Sequence, residues 1–200
     1  VLTGGPGTGK TTTVLRMLLA LTREHHALHA RLPIIRLAAP TGKAARRLGD
    51  ALREGANTLQ GREAFRDSTW PQSLEPALQA EAMNVHRLLG SRGQQRGFTH
   101  HAGNPVGADV VLIDEASMLD LPLLRALLDA LPETAVLVFV GDAEQLPPVG
   151  TGSVFLDLVR ALEASAAGDV VRLQHSFRAD QALVPVNAAL RDGNPEAFVQ

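Results

Sequence analysis

Short apolar runs and longer amphipathic stretches take turns along these 200 residues. Val1-Leu2-Thr3 look like the end of a strand, and Thr12 to Leu28 has the apolar spacing of a helix. Pro33 to Ala39 reads as a buried strand and Lys43 to Arg53 as a helix. Asp109 to Ile113 is a strand, and Leu119 to Leu131 carries leucines at helical spacing. Val136 to Val140 predicts a strand, Val154 to Glu163 a helix, Val170 to Leu173 a strand and Gln181 to Arg191 a helix. Between Gly55 and Glu81 the pattern is mixed and polar, with Pro71 and Pro76, and predicts short helices or loops. Strand–helix alternation with nearly continuous apolar strands implies a mainly parallel sheet covered on both faces. The expected fold class is therefore α/β, in three layers. No internal repeat or low-complexity tract interrupts it.

Composition narrows this further. The length suits one domain, 1–200, with a small helical or loop insertion near 55–81. Hydrophobic residues make up 45% of the chain, enough for a real core. No apolar run approaches the roughly 18 residues of a membrane span, so no membrane segment is expected. Cysteine is absent, which excludes disulfides and thiolate metal sites and is compatible with a cytoplasmic protein. Only three residues precede Gly4, fewer than the five or six of an ordinary strand, and Asn194 to Gln200 looks like the opening of a new helix. These ends suggest a piece of a larger protein. The net charge of −2 hides an uneven distribution. Met83 to Ala108 has no acid but holds Arg87, Arg92, Arg96 and three histidines, whereas acids dominate from Asp109 to Asp169. Such asymmetry points to nucleic-acid contact, with a solvated loop as the alternative. His25, His26 and His29 share a helix and read as a solvated face rather than a metal site.

Gly4-Gly5-Pro6-Gly7-Thr8-Gly9-Lys10-Thr11 fits G-x-x-x-x-G-K-[ST], the phosphate-binding loop. Its glycines let backbone N–H groups turn inward around the α- and β-phosphates. Lys10 would reach the β- and γ-phosphates, and Thr11 would put a hydroxyl on Mg²⁺. A strand before and a helix after, whose N-terminus favours anions, complete the context.

Val110 to Ile113 is an apolar strand that ends in Asp114-Glu115. At the carboxyl edge of a parallel sheet such acids face the ligand crevice. Beside a phosphate loop, Asp114 would hold Mg²⁺ through water, and Glu115 would orient and deprotonate an attacking water. A glutamate directly after the aspartate points to hydrolysis; helix capping is the plainer alternative. After the next strand, Gln145 could sense the γ-phosphate or position water, and Asp142 might cap the turn. Pro40-Thr41-Gly42-Lys43 follows the second strand and could hold a phosphate, or be an ordinary strand-to-helix turn. Arg178, after the last strand, could clamp a transferring phosphate or pair with a surface acid.

These segments together resemble superfamily-one DNA helicases, and more narrowly the RecD family, the alpha subunits of exodeoxyribonuclease V. The carriers are Gly4–Thr13, Ala39–Leu48, His86–Gly90, His100–Pro105, Asp114–Pro122 with its Asp-Glu-Ala-Ser-Met core, Gly141–Gly152 and Ser176–Arg178. The resemblance implies a RecA-like P-loop NTPase motor domain, the first of two, using ATP and Mg²⁺. The nucleotide would meet Gly4, Gly5, Pro6, Gly7, Thr8, Gly9, Lys10, Thr11 and Thr12, with Phe177 stacking on the base. Thr11 and Asp114 would serve the metal; Lys10, Glu115, Gln145 and Arg178 would serve catalysis. Pro40, Thr41, Gly42, His86, Arg92, Arg96, Pro148, Val149 and Ser153 would face DNA. A hairpin near 91–108 would be the pin that splits duplex.

The implied activity is ATP-driven 5′→3′ helicase and translocase action on single strands and duplex ends. It would serve double-strand break repair beside the beta and gamma subunits of exodeoxyribonuclease V, with the nuclease site on another subunit. Two alternatives stay open: a stand-alone RecD-like helicase, and a non-catalytic nucleotide-binding assembly module. The chain departs from the family at Asn84, where Thr is common, at Phe177, where Tyr is common, and at Ala179, where Phe is common.

Overall fold

The computed structural model describes residues 1–60, 70–93, 97–145, 154–165 and 168–174. In chain order the elements are β1 (Leu2–Gly4), α1 (Lys10–His29), β2 (Ile35–Ala39), α2 (Gly42–Gln60), α3 (Trp70–Gln79), β3 (Ala82–Asn84) and α4 (Val85–Leu88). Then come β4 (Val110–Ile113), α5 (Leu121–Asp129), β5 (Val136–Gly141), α6 (Val154–Ala164) and β6 (Val171–Leu173). The strands form one six-stranded sheet in the order β3-β2-β4-β5-β1-β6. Every pairing among them is parallel. The α/β expectation holds. The predicted helix Gln181–Arg191 lies outside the described residues.

Burial on both faces explains why the central strands are apolar throughout. Side chains alternate across a strand. In β4, Val110 and Leu112 join one core with Val14, Leu15 and Leu18 of α1. Val111 and Ile113 join the opposite core with Leu124 and Leu127 of α5 and Val159 of α6. α1 presents Val14, Leu15, Leu18, Leu19 and Thr22 as its buried stripe. Thr22 is the polar exception, and its hydroxyl finds no partner among the described residues.

Several boundaries differ from the sequence expectation, each for a local reason. α2 does not stop at Arg53 but runs on to Gln60. Glycine in a helix interior costs about 1 kcal/mol in propensity, which makes Gly55 look like an end. Tertiary packing reverses this: a Cβ at Gly55 would lie 2.6 Å from Leu15 Cδ1, so the missing side chain lets α2 close on α1. β3 and α4 were invisible as apolar runs, because β3 is a half-buried edge strand pairing with β2 alone. α5 begins at Leu121, not Leu119, because Asp120 caps it: its carboxylate accepts from Leu123 N at 2.8 Å. A 3-10 turn, Ala116–Met118, precedes that cap.

An ion knot ties the amino ends of β2 and β4 to the end of α1. Arg31 donates both guanidinium arms to Asp109, each at 2.7 Å. Ile34 N donates to the same carboxylate at 2.7 Å. His25 Nε2 stands 3.5 Å from Asp109, and His25 Nδ1 stands 3.1 Å from the Arg31 carbonyl oxygen. This corrects the expected solvated face for His25 alone, whose side chain is only 13% exposed, while His26 and His29 are exposed. Among the described residues no metal-holding group of His, Asp and Glu forms. No described helix is long and apolar enough to cross a membrane.

The hydrogen bond from Arg31, aided by the Ile34 amide, holds the Asp109 carboxyl well below the usual carboxylate range. A depressed folded-state pKa stabilises the fold above the unfolded value, near 4. That stabilisation is lost as pH falls through the folded value. Asp109→Asn should therefore unfold more readily than the parent at pH 7. The gap should narrow as pH drops below about 4. Urea melts across pH 3–8 would measure it, and a gap constant with pH would refute the linkage.

Candidate functional site

β1 ends at Gly4, and the chain there turns over the sheet edge in a loop with no spare room. A Cβ at Gly4 would come within 2.7 Å of the Leu173 carbonyl oxygen and 2.8 Å of Thr8 Oγ1. Gly7 (φ 76°) and Gly9 (φ 84°) take left-handed conformations that glycine adopts without steric cost. Thr8 Oγ1 braces the turn by donating to Gly5 O at 2.9 Å. Lys10 then opens α1, and its ammonium folds back over the loop. It donates to Gly4 O at 2.5 Å and Gly5 O at 2.9 Å. Thr11 is half-buried in the first turn of α1, and Thr12 beside it is exposed.

The loop forms one wall of a cleft of about 200 Å³. Pro6 and Lys10 line it from the loop; Asp114, Glu115 and Ser117 line it from the end of β4; Gly141, Asp142 and Gln145 come from the end of β5. Strand order brings them together, since β5 pairs with both β1 and β4. Position along the sheet puts them all beyond carboxyl ends, where open α/β sheets bind ligands.

The two acids differ in environment. Asp114 N is held by Ala38 O at 2.9 Å, and its carboxyl is largely buried. Burial pushes its pKa up; a hydrogen bond from the Glu115 backbone opposes the rise, the charge of Glu115 adds to it, and Lys10 opposes it in turn. Glu115 has φ 50°, ψ 38°, a left-handed backbone uncommon outside glycine. Such conformations cost on the order of 1–3 kcal/mol and gather at functional sites. Its carbonyl starts the 3-10 turn through Met118 N at 3.0 Å, yet its side chain makes no cap bond. The capping alternative thus fails for Glu115. It succeeds for Asp142, whose carboxylate accepts from Glu144 N at 3.0 Å.

Sequence reasoning passed over two supports of this cleft. Thr3 Oγ1 accepts a buried hydrogen bond from Ala143 N at 3.0 Å. Gly141 is the other: a Cβ there would lie 2.9 Å from the Phe155 ring and 3.2 Å from Ser117 N. A polar residue closing an otherwise apolar strand was the available signal for Thr3. A glycine ending β5 was the signal for Gly141.

The expected DNA-facing residues are more dispersed. Thr41 Oγ1 accepts from Ala44 N at 3.2 Å, so it caps α2; Thr41, Gly42 and Lys43 are exposed, while Pro40 is half-buried. Asn84 caps α4 by accepting from Arg87 N at 2.8 Å. Asparagine therefore performs the capping that a threonine can perform at this position. His86 is exposed, its ring centroid 6.0 Å from that of Phe98. Arg87 is paired with Glu81 at 2.8 Å. Ser91 and Phe98 form an antiparallel bridge, and Arg92, exposed, donates to Thr99 Oγ1 at 3.1 Å. Arg96, Pro148, Val149, Ser153, Phe177 and Arg178 lie outside the described residues, as do 61–69 of the expected insertion.

A glycine loop, a lysine and paired acids at the carboxyl ends of this strand order define a RecA-like P-loop NTPase fold. The chain belongs to the AAA domain family, which matches residues 1–151. Its sequence is RecD-like. It is 41% identical over 199 residues to the RecBCD enzyme subunit RecD of Mycolicibacterium smegmatis, covering 98% of this chain and 33% of that protein. It is 39% identical over 161 residues to the ATP-dependent RecD2 DNA helicase of Deinococcus radiodurans, covering 80% of this chain and 18% of the relative. The chain thus spans a third or less of these relatives' lengths. Among solved structures, unliganded Pif1 from Bacteroides sp. superposes with a TM-score of 0.51 over 96% of this chain and 41% of that one. At 21% identity that likeness concerns the fold.

Gly141→Ala tests the close approach at the cleft floor. The added methyl must displace the Phe155 ring or the Ser117 turn, and overpacking of this kind costs about 1–3 kcal/mol. Thermal or urea unfolding should show that loss, whereas parental stability would mean the contact gives way freely.

Proposed function

We propose that this chain is the ATP-hydrolysing motor domain of a RecD-like 5′→3′ DNA helicase. The observation that carries the reading is one cleft shared by Lys10, Asp114 and a left-handed Glu115 whose side chain makes no capping bond. Amides of the Gly4–Thr11 loop and the start of α1 cradle the phosphates, and Lys10 leaves its two carbonyls for the more negative phosphate oxygens. Glu115 accepts the proton of the attacking water, and Gln145, exposed at the cleft rim, holds that water or the γ-phosphate in place. Arg178 and Phe177 complete the reading as phosphate clamp and base platform.

Mg²⁺ suits the donors present. Asp114 offers a largely buried carboxylate at the cleft, and Thr11, in the first turn of α1, adds a hydroxyl oxygen. Such hard oxygen donors, few in number, leave room for the phosphates and waters that Mg²⁺ prefers. The metal would neutralise charge on the β- and γ-phosphate oxygens.

DNA is the expected track for the motor. Pro40, Thr41, Gly42, His86, Arg92 and Arg96 would meet it, together with Pro148, Val149 and Ser153. The identity with a RecBCD subunit supports work beside the beta and gamma subunits of exodeoxyribonuclease V, in the cytoplasm, in break repair. The 39% identity with a RecD2 helicase favours a second reading, a helicase acting outside such a complex. The two differ in partner, not in chemistry.

In the full-length protein, Glu115→Gln should bind ATP nearly as the parent does and lose turnover by about 10²–10⁴-fold. Lys10→Ala should lose binding and hydrolysis together. Nucleotide titration and steady-state ATPase assays with single-stranded DNA would separate these effects. Parental turnover by Glu115→Gln would remove the glutamate from its role.

A further inference from the structure

We propose that Thr3 is a positioning residue that fixes the Gln145 turn against the phosphate loop; the proposal rests on the ATPase reading above. Thr3 is the β1 residue directly before Gly4 and is only 2% exposed. Its neighbour Leu2 packs into the core beneath α1. Alternation along the strand therefore sends the Thr3 side chain to the opposite face of the sheet. There it meets the chain that leaves β5, with Thr3 in register with Gly141.

The β5 ladder ends at Gly141, and the amides of residues 143–145 belong to the turn that carries Gln145. Two of those amides are held within the turn itself. Glu144 N donates to the Asp142 carboxylate at 3.0 Å, and Gln145 N to the Asp142 carbonyl at 3.3 Å. These bonds give the turn its shape but do not place it. Ala143 N instead donates across to Thr3 Oγ1 at 3.0 Å, in a buried position. This bond joins the turn to the strand that feeds the phosphate loop. Gln145 stands two residues beyond the anchored amide and lines the cleft with Lys10. Reacting groups misplaced by about 1 Å can lose 10²-fold in rate. A hydroxyl that sets this spacing should therefore govern turnover more than nucleotide affinity.

A valine would keep the shape of Thr3 and its place in the apolar pattern, but it would leave the Ala143 amide buried without an acceptor. The experiment compares Thr3→Val and Thr3→Ser in the full-length protein with ATP and single-stranded DNA. Thr3→Val should lower kcat about tenfold or more and leave KM for ATP within about threefold; Thr3→Ser should recover most of the loss. Added to Gln145→Ala, Thr3→Val should change kcat by less than about twofold, since both changes disable one device. Hydrogen exchange without nucleotide should show faster exchange over residues 143–145 in Thr3→Val and parental exchange in Thr3→Ser.

Parental kcat in folded Thr3→Val overturns the proposal, and so do full additivity with Gln145→Ala or unchanged exchange in the turn. If the parent itself shows no Lys10-dependent turnover, the ATPase reading has failed, and Thr3 is then decided by the exchange result alone. Should Thr3→Val not fold, Thr3→Cys, with a sulfur that accepts weakly, replaces it in every comparison.

Discussion

The site depends on where a three-residue strand is allowed to stop. β1 spans Leu2–Gly4, and it lies between β5 and β6. Leu2 pairs with Val140 on one side and Val171 on the other. Parallel ladders on both flanks fix its height in the sheet, and with it the level at which the phosphate loop leaves. Gly4 is still paired with Leu173 at that point. Its lack of a side chain is what permits a strand residue to serve also as the first residue of the loop. Every later feature of the cleft is measured from that exit: the lysine at the head of α1, the acids ending β4, the glutamine after β5.

Around this exit the protein keeps unfavourable groups close together. Asp114 is a carboxylate largely out of water, and Glu115 sits in a backbone region that ordinary residues avoid. Neither helps the fold. What holds them is the surrounding rigidity: the Asp114 amide is tied to Ala38, and the 3-10 turn after Glu115 packs against β5. The opposite end of the sheet is built on another principle. There Asp109 is saturated by Arg31 and the Ile34 amide, and the result is a stable ion pair. One edge of the sheet stores strain, the other secures it.

The sequence announced the central architecture because buried parallel strands must be apolar on both faces. Val110 to Ile113 could scarcely be read otherwise. The glycine loop and the Asp114-Glu115 pair were equally plain, since their chemistry requires those residue types at that spacing. Features that rest on long-range contact were hidden. Gly55 looked like a helix end because its partner, Leu15, is forty residues away in the chain. β3 was lost because an edge strand needs no continuous apolar run. The inward turn of His25 depends on Asp109, which no local pattern connects to it. Thr3 and Gly141 were legible as residues but not as supports, since each acts on a neighbour that only the folded chain brings near.

The floor of the cleft has a mechanical side as well. Gly141 offers bare backbone to the ring of Phe155, the second residue of α6, and to the amide of Ser117. The ring and the turn together occupy the space that a side chain at Gly141 would need. The glycine works as a shared seat: α6 and the turn behind Glu115 can both close on the tip of β5 only while that position stays bare.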